Sequence, residues 1–238
     1  MCHDDLVSYL SALQLGDSAF PSGRYTLSYG LEAVAQSGQL ATQETAPALA
    51  RLLSDCIRFG VAPSDGVALA CAHRALGPDG CVNWDVVTRA DQRLTAVKRA
   101  REARNASTRT GRALLATATA VIGAPAIRSY AQRVHDRRTP GNHAIVLGLA
   151  SAVLGVPRLD AVAGELYAFC ASWVAAAVRL GLIDHRAAQH MLHRVRPVTA
   201  EAARNAADRD VIQISSCTPF LDVMSMRHEQ AELRLFAS

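Results

Sequence analysis

His185, His190 and His193 stand close together, and the last two are three positions apart, which places both imidazoles on one face of a helix. Two imidazoles so placed can bind a divalent transition metal, and a metal-dependent hydrolase would be built on such a group. Asp184 is the one carboxylate beside them. The plainer reading is a solvated helix with surface histidines, and the three remain weak metal candidates. Cys71 and His73 read as a buried thiol with a polar neighbour. Cys2-His3 would catch metal only adventitiously. His228-Glu229 begins like a His-Glu-x-x-His zinc motif, but Glu232 stands where the second His is required. There is no Gly-x-Ser-x-Gly nucleophile elbow. The only lysine, Lys98, follows Val97, so the Gly-Lys-[Ser/Thr] of a phosphate-binding loop is missing and the chain is not by itself a P-loop NTPase.

The strongest charge feature is Lys98, Arg99, Arg101, Arg104, Arg109 and Arg112. The stretch has no aromatic residue, so it reads as a solvated face or a patch for an acidic protein before it reads as a nucleic-acid surface. A basic nucleic-acid-binding regulator is the further alternative. The formal net charge of +4 is spread along the chain. Six cysteines, at 2, 56, 71, 81, 170 and 217, include no Cys-x-x-Cys pair, which suits a reducing compartment. The opening residues are acidic where a secretory signal would be basic. Leu166 to Val178 is thirteen residues without a charge, short of the roughly 20 a membrane span needs, and is expected to be a buried core helix. The expectation is a cytoplasmic protein with neither nucleic acid nor membrane as partner.

The elements that carry these residues are helices. Half the residues are hydrophobic, only 5% are aromatic, and by count 44 are Ala and 24 are Arg, a composition of good helix formers. Helices are expected at Asp4–Leu15 and, after an irregular Gly16–Gly23 loop, at Tyr25–Ala35. Another runs from Thr42 to Gly60, and one starts at Pro63. Trp84 to about Ile122 reads as one kinked helix or two. Helices follow from Pro125, at His143–Gly155, Pro157–Leu180, Asp184–Val195 and Thr199–Ala207. The fold class is all-α: a single-domain bundle of about ten helices over residues 1–238, with mobile N- and C-terminal segments. Residues 215–238 form a tail of one or two helical turns. Its Met224, Met226, Leu233, Leu235 and Phe236 are costly to expose, so the tail packs on its own body or docks on a partner.

The two ends carry a resemblance. Asp17-Ser-Ala-Phe-Pro-Ser-Gly-Arg-Tyr-Thr-Leu-Ser-Tyr-Gly-Leu-Glu32 resembles the N-terminal motif of the urease accessory protein F (UreF) family. Met226-Arg-His-Glu229 followed by Arg234-Leu-Phe-Ala-Ser238 resembles the family's closing motif. Between them, Arg101–Ser107, Gly111-Arg112, His143, Gly148 and Leu154-Gly155 fall where the family has similar elements. The family's motif His is Leu27 here, so a metal role of that His does not transfer.

The resemblance implies an all-helical, non-enzymatic assembly factor with no catalytic residue and no cofactor of its own. It implies a homodimer that binds the D- or H-type accessory protein and, through it, recruits the nickel-carrying GTPase UreG to apo-urease. Nickel is then handled by the complex, with part of its passage through this protein. The partner-binding residues it implies are Arg227, His228, Glu229, Arg234, Leu235, Phe236 and Ser238. Asp17, Phe20, Pro21, Gly23, Tyr25, Ser28, Gly30 and Glu32 form a structural and docking loop.

Overall fold

The computed structural model describes residues 5–24, 27–38 and 45–228. Tyr25 and the closing segment from Glu229, with Arg234, Leu235, Phe236 and Ser238, lie outside the described residues. The described chain is a succession of helices, with a single β-bridge between Leu76 and Val82.

α1 spans Asp5–Gly16 and α2 spans Leu31–Gln36. The second is shorter than the Tyr25–Ala35 helix expected from sequence. Gly30 at its N-cap takes φ +81°, and Tyr29 before it also takes a positive φ, which ends the preceding loop in a turn that cannot continue as helix.

α3, Thr45–Asp55, buries Leu49 and Leu53 one turn apart and continues into a π-helix, Cys56–Gly66, and then α4, Val67–Arg74. The sequence suggested a break at Gly60 and a new start at Pro63. Pro63 instead sits inside the π-helix. The wider turns leave carbonyls for other partners. Ser64 Oγ donates to Gly60 O at 2.7 Å, and the amides of Ser215 and Cys217 donate to the carbonyls of Pro63 and Phe59.

α5, Trp84–Val97, starts at Asn83, whose side chain accepts from the Val86 amide. It is separated from α6, Arg101–Val121, by an extended Lys98, so the long helical stretch is two helices. Arg104 holds the junction by donating to the carbonyls of Lys98 and Arg99. α7 is Pro125–His135, with Pro in its first turn. α8 is His143–Val153 and α9 Arg158–Arg179. α10 runs unbroken from His185 to Ala207 with Pro197 inside it, where two helices were expected. α11 is Pro219–His228.

One large hydrophobic cluster draws on α3 through α10, and Trp173, Tyr130 and Leu69 are among its fully buried side chains. α9 is the one described helix apolar and long enough to cross a membrane by composition; here it buries Leu166, Phe169, Cys170, Trp173, Ala176 and Ala177 in this core, as the uncharged run suggested. α4 and α8 cross very closely. A Cβ on Gly148 would stand 2.4 Å from the Leu69 carbonyl oxygen, so only glycine allows the contact. Gly164 on α9 has open space around it.

These two glycines give a paired expectation. Gly148→Ala should destabilise the protein by about 1–3 kcal/mol through overpacking against backbone. Gly164→Ala should be neutral or stabilise by roughly 0.5–1 kcal/mol, because it removes only backbone freedom in a helix. Denaturant midpoints of the two variants check this directly.

Candidate functional site

A buried carboxylate sets the geometry. Asp91 on α5 is fully buried and accepts hydrogen bonds from the hydroxyls of Tyr130 (2.7 Å) and Thr139 (2.5 Å) and from the amides of Gly141 (2.8 Å) and Asn142 (3.0 Å). The Asn142 side-chain amide donates to it as well, at 2.7 Å. So many donors satisfy a buried charge that burial alone would penalise. The 139–142 loop is thereby pinned, and α8 must begin at His143. α6 presses on the same loop at Gly111, where a Cβ would fall on the Gly141 carbonyl oxygen. His143 lines a cavity of about 110 Å³ together with Ser107 and Thr110 of α6.

The opposite wall comes from the N-terminal motif. Its loop is shaped by Asp17, whose side chain accepts from the Ala19 amide, and by Gly23 at φ +73°. Phe20 packs half-buried on the main cluster. The loop then delivers Arg24 inward, where Nη1 donates to Glu165 Oε2 at 2.6 Å and lies 3.3 Å from His143 Nε2. Tyr29 rests edge-on against Phe169, with ring centroids 4.8 Å apart. A second ion pair, Lys98 to Asp65 at 2.7 Å, joins the α5–α6 junction to the π-helix, and both residues line the same cavity. Ser107 Oγ is buried there without a hydrogen-bond partner.

The electrostatics follow from burial and pairing. Burial and the adjacent Arg24 push the His143 imidazole down to about 3, so it is neutral at physiological pH. Arg24 Nη1 thus lies between a neutral ring nitrogen and the Glu165 carboxylate. Burial alone would raise the Asp65 carboxyl, but the Lys98 ammonium holds it below its usual range. Burial raises the Tyr29 phenol, with Arg24 opposing. The lining therefore carries two compensated ion pairs and a neutral imidazole around space that admits water or a small polar guest.

The other sequence candidates are placed as follows. Pro21 is exposed, while Ser28 and Glu32 are fully buried, and the Gln36 side chain donates to the Glu32 carboxylate at 3.4 Å. Gly30 lies in the cavity wall. Arg227 and His228 close α11. His185, His190 and His193 are exposed along α10, and among the described residues no group of three His, Cys, Asp or Glu side chains could hold a metal ion. The sequence reading missed Asp65, Asp91, His143 and Glu165 as one polar system. Arg24 and Lys98 carried a signal, as a charge inside the N-terminal motif and as the chain's only lysine. Arg24 and Glu165 are 141 positions apart, and no periodicity connects them.

The described chain is all-helical, and Arg24, Tyr29 and Gly30 of the N-terminal motif line one polar cavity with His143 and Glu165 from the middle of the chain. The family model described as UreF matches residues 44–196. The urease accessory protein UreF of Trichodesmium erythraeum is 32% identical over 243 residues, covering 100% of both chains. UreF 2 of Brucella canis is 30% identical over 231 residues, 97% of this chain and 92% of its own. UreF of Yersinia enterocolitica is 28% identical over 226 residues, 95% and 96%. The chain belongs to the UreF family of urease accessory proteins.

The depressed His143 gives a pH expectation. The unfolded imidazole takes a proton near pH 6.5, and the folded one does not until about 3. Between those values the unfolded state binds more protons, so stability falls as pH falls. From pH 6.5 to 5 the loss from this group should be about 2 kcal/mol. His143→Gln should flatten that part of a stability–pH curve, as read by denaturant titration at each pH.

Proposed function

We propose that this protein is a non-enzymatic maturation factor for urease: a cytoplasmic, homodimeric scaffold. With the D/H-type accessory protein it recruits the nickel-carrying GTPase UreG to apo-urease. Nickel is cargo of the assembled complex and no resident cofactor of this chain. The observation that carries the reading is full-length similarity to proteins named as urease accessory factors.

The C-terminal helix supports it physically. α11 buries Met224 on its inner side but leaves Phe220, Val223 and Met226 about 41–46% exposed. Such an apolar stripe, followed in the sequence by Leu233, Leu235 and Phe236, is the kind of surface a partner groove buries. Ordering a terminal segment costs about 1–2 kcal/mol per residue, which burial of two or three large side chains only just offsets. The partner supplies the missing surface. Arg234 and the Ser238 carboxylate then fix the register by charged hydrogen bonds.

Deleting Glu232–Ser238 tests this. The truncated chain should keep its helicity and melting temperature while losing co-purification with the D/H-type protein and urease activation together. A truncation that still assembles and activates urease, or one that unfolds, would contradict the assignment of the tail as the docking segment.

A further inference from the structure

Two grooves meet on the face where α10 lies beside α3 and the π-helix. One, of about 370 Å³, is lined by Arg51, Asp55, Arg58 and Arg194. The other, of about 180 Å³, is lined by Arg58, Glu201 and Arg209. Arg58 belongs to both, so the two form one track. Residue numbers rise in the same direction along its two walls, which sets the charges in order. Arg51 and Arg194 stand at one end, Asp55, Arg58 and Glu201 in the middle, and Arg209 at the other end. Between them lie the buried Ala62, Val195, Ala202 and Ala206, side chains too short to fill the track.

Elsewhere in this molecule cations beside carboxylates are paired: Arg24 with Glu165, Lys98 with Asp65, Arg158 with Asp208. The four arginines of the track are not. Among the described residues none of them has an ion pair or a side-chain hydrogen bond, although Asp55 and Glu201 stand in the same walls. Arg51, Arg58 and Arg194 are exposed and Arg209 is half-buried, so all four are open to an incoming group. A guanidinium presents a planar fork of N–H donors that matches a carboxylate. Four forks against two carboxylates leave the track short of anions.

We propose that this track binds an acidic segment of another protein in extended form. From Arg194 to Ala206 the α10 wall is about 18 Å long at roughly 1.5 Å per residue. That length takes about five or six residues of extended chain. Asp or Glu at alternate positions of such a segment would point to one side and meet the arginines, while its backbone N–H groups meet Asp55 and Glu201. A nucleic acid suits the track less well. Its backbone is an unbroken row of phosphates that the two carboxylates would repel, and no aromatic side chain lines either groove to stack a base. No residue of α11 lines the track, and the proposal stands on this surface alone, apart from the urease reading.

The test uses the full-length chain and a fluorescein-labelled eight-residue peptide of alternating Glu and Ala, followed by fluorescence anisotropy. A peptide of alternating Gln and Ala and an eight-nucleotide thymidine strand serve as comparison probes. The acidic peptide should bind saturably, about tenfold or more tighter than the Gln peptide, and its affinity should fall as salt is raised. The double variant Arg58→Gln, Arg194→Gln should weaken binding about tenfold or more at an unchanged melting temperature, since both side chains are exposed. Arg51→Gln should weaken it in the same direction from the other wall. Arg112→Gln, an exposed arginine of α6 outside the track, should stay within about twofold of the parent. An acidic peptide that fails to bind, or that loses as much affinity with Arg112→Gln as with the track variants, would overturn the proposal. Tighter binding of the thymidine strand that depends on Arg58 and Arg194 would overturn it too, because the track would then be a nucleic-acid site.

Discussion

A guanidinium and a carboxylate brought into the protein interior cannot be left half-paired, and the Arg24–Glu165 contact imposes that condition on both ends of the fold. The two side chains are 14% and 5% exposed and meet at 2.6 Å. Removing either partner would leave an uncompensated buried charge, at a cost of about 3–5 kcal/mol. The N-terminal loop is therefore tied to the middle of α9, beside the apolar packing of Phe20 and Tyr29 on the main cluster. Once Arg24 is fixed, the His143 ring beside it stays neutral, Tyr29 is drawn against Phe169, and Gly30 comes to rest beneath α11. The pair spends on positioning what a hydrophobic contact would give to stability alone.

The Asp91 cluster does the corresponding work on the far wall. It converts the 139–142 loop into a fixed mount for α8, and Gly111 lets α6 sit against that mount. Polar atoms thus define a chamber inside a core otherwise filled by Leu, Val and Ala. Such a chamber is expensive to build, because each buried polar atom must be satisfied. That most of them are, with Ser107 Oγ an exception at the cavity wall, marks the chamber as a built feature of the fold.

Much of the architecture was legible in the sequence, since Ala-rich, Pro-punctuated segments with helical spacing fold as helices whatever surrounds them. α1, α7, α8 and α9 fall close to where the pattern puts them. The pattern failed where tertiary contacts replaced local rules. Pro63 stays inside a helix because π geometry and the Ser215 and Cys217 amides accommodate the displaced carbonyls. Pro197 stays inside α10 because that helix is held along its length by buried Met191, Val195, Ala202 and Ala203. The end motifs identified the family, but not what lies between them. The polar system joins Arg24, Asp65, Lys98, His143 and Glu165 from five separate elements, and only the folded chain reveals that they face one space. The histidines that drew attention first, His185, His190 and His193, line an outer helix face instead.

As a proposed maturation factor, this protein would enable the metal loading of another protein. The most direct measurement is the nickel content of urease purified from cells that lack this chain and from the same cells with it restored. The account expects nickel-poor, inactive urease without the chain and full metal occupancy on its return, at unchanged urease abundance. Equal nickel occupancy in both preparations would contradict it.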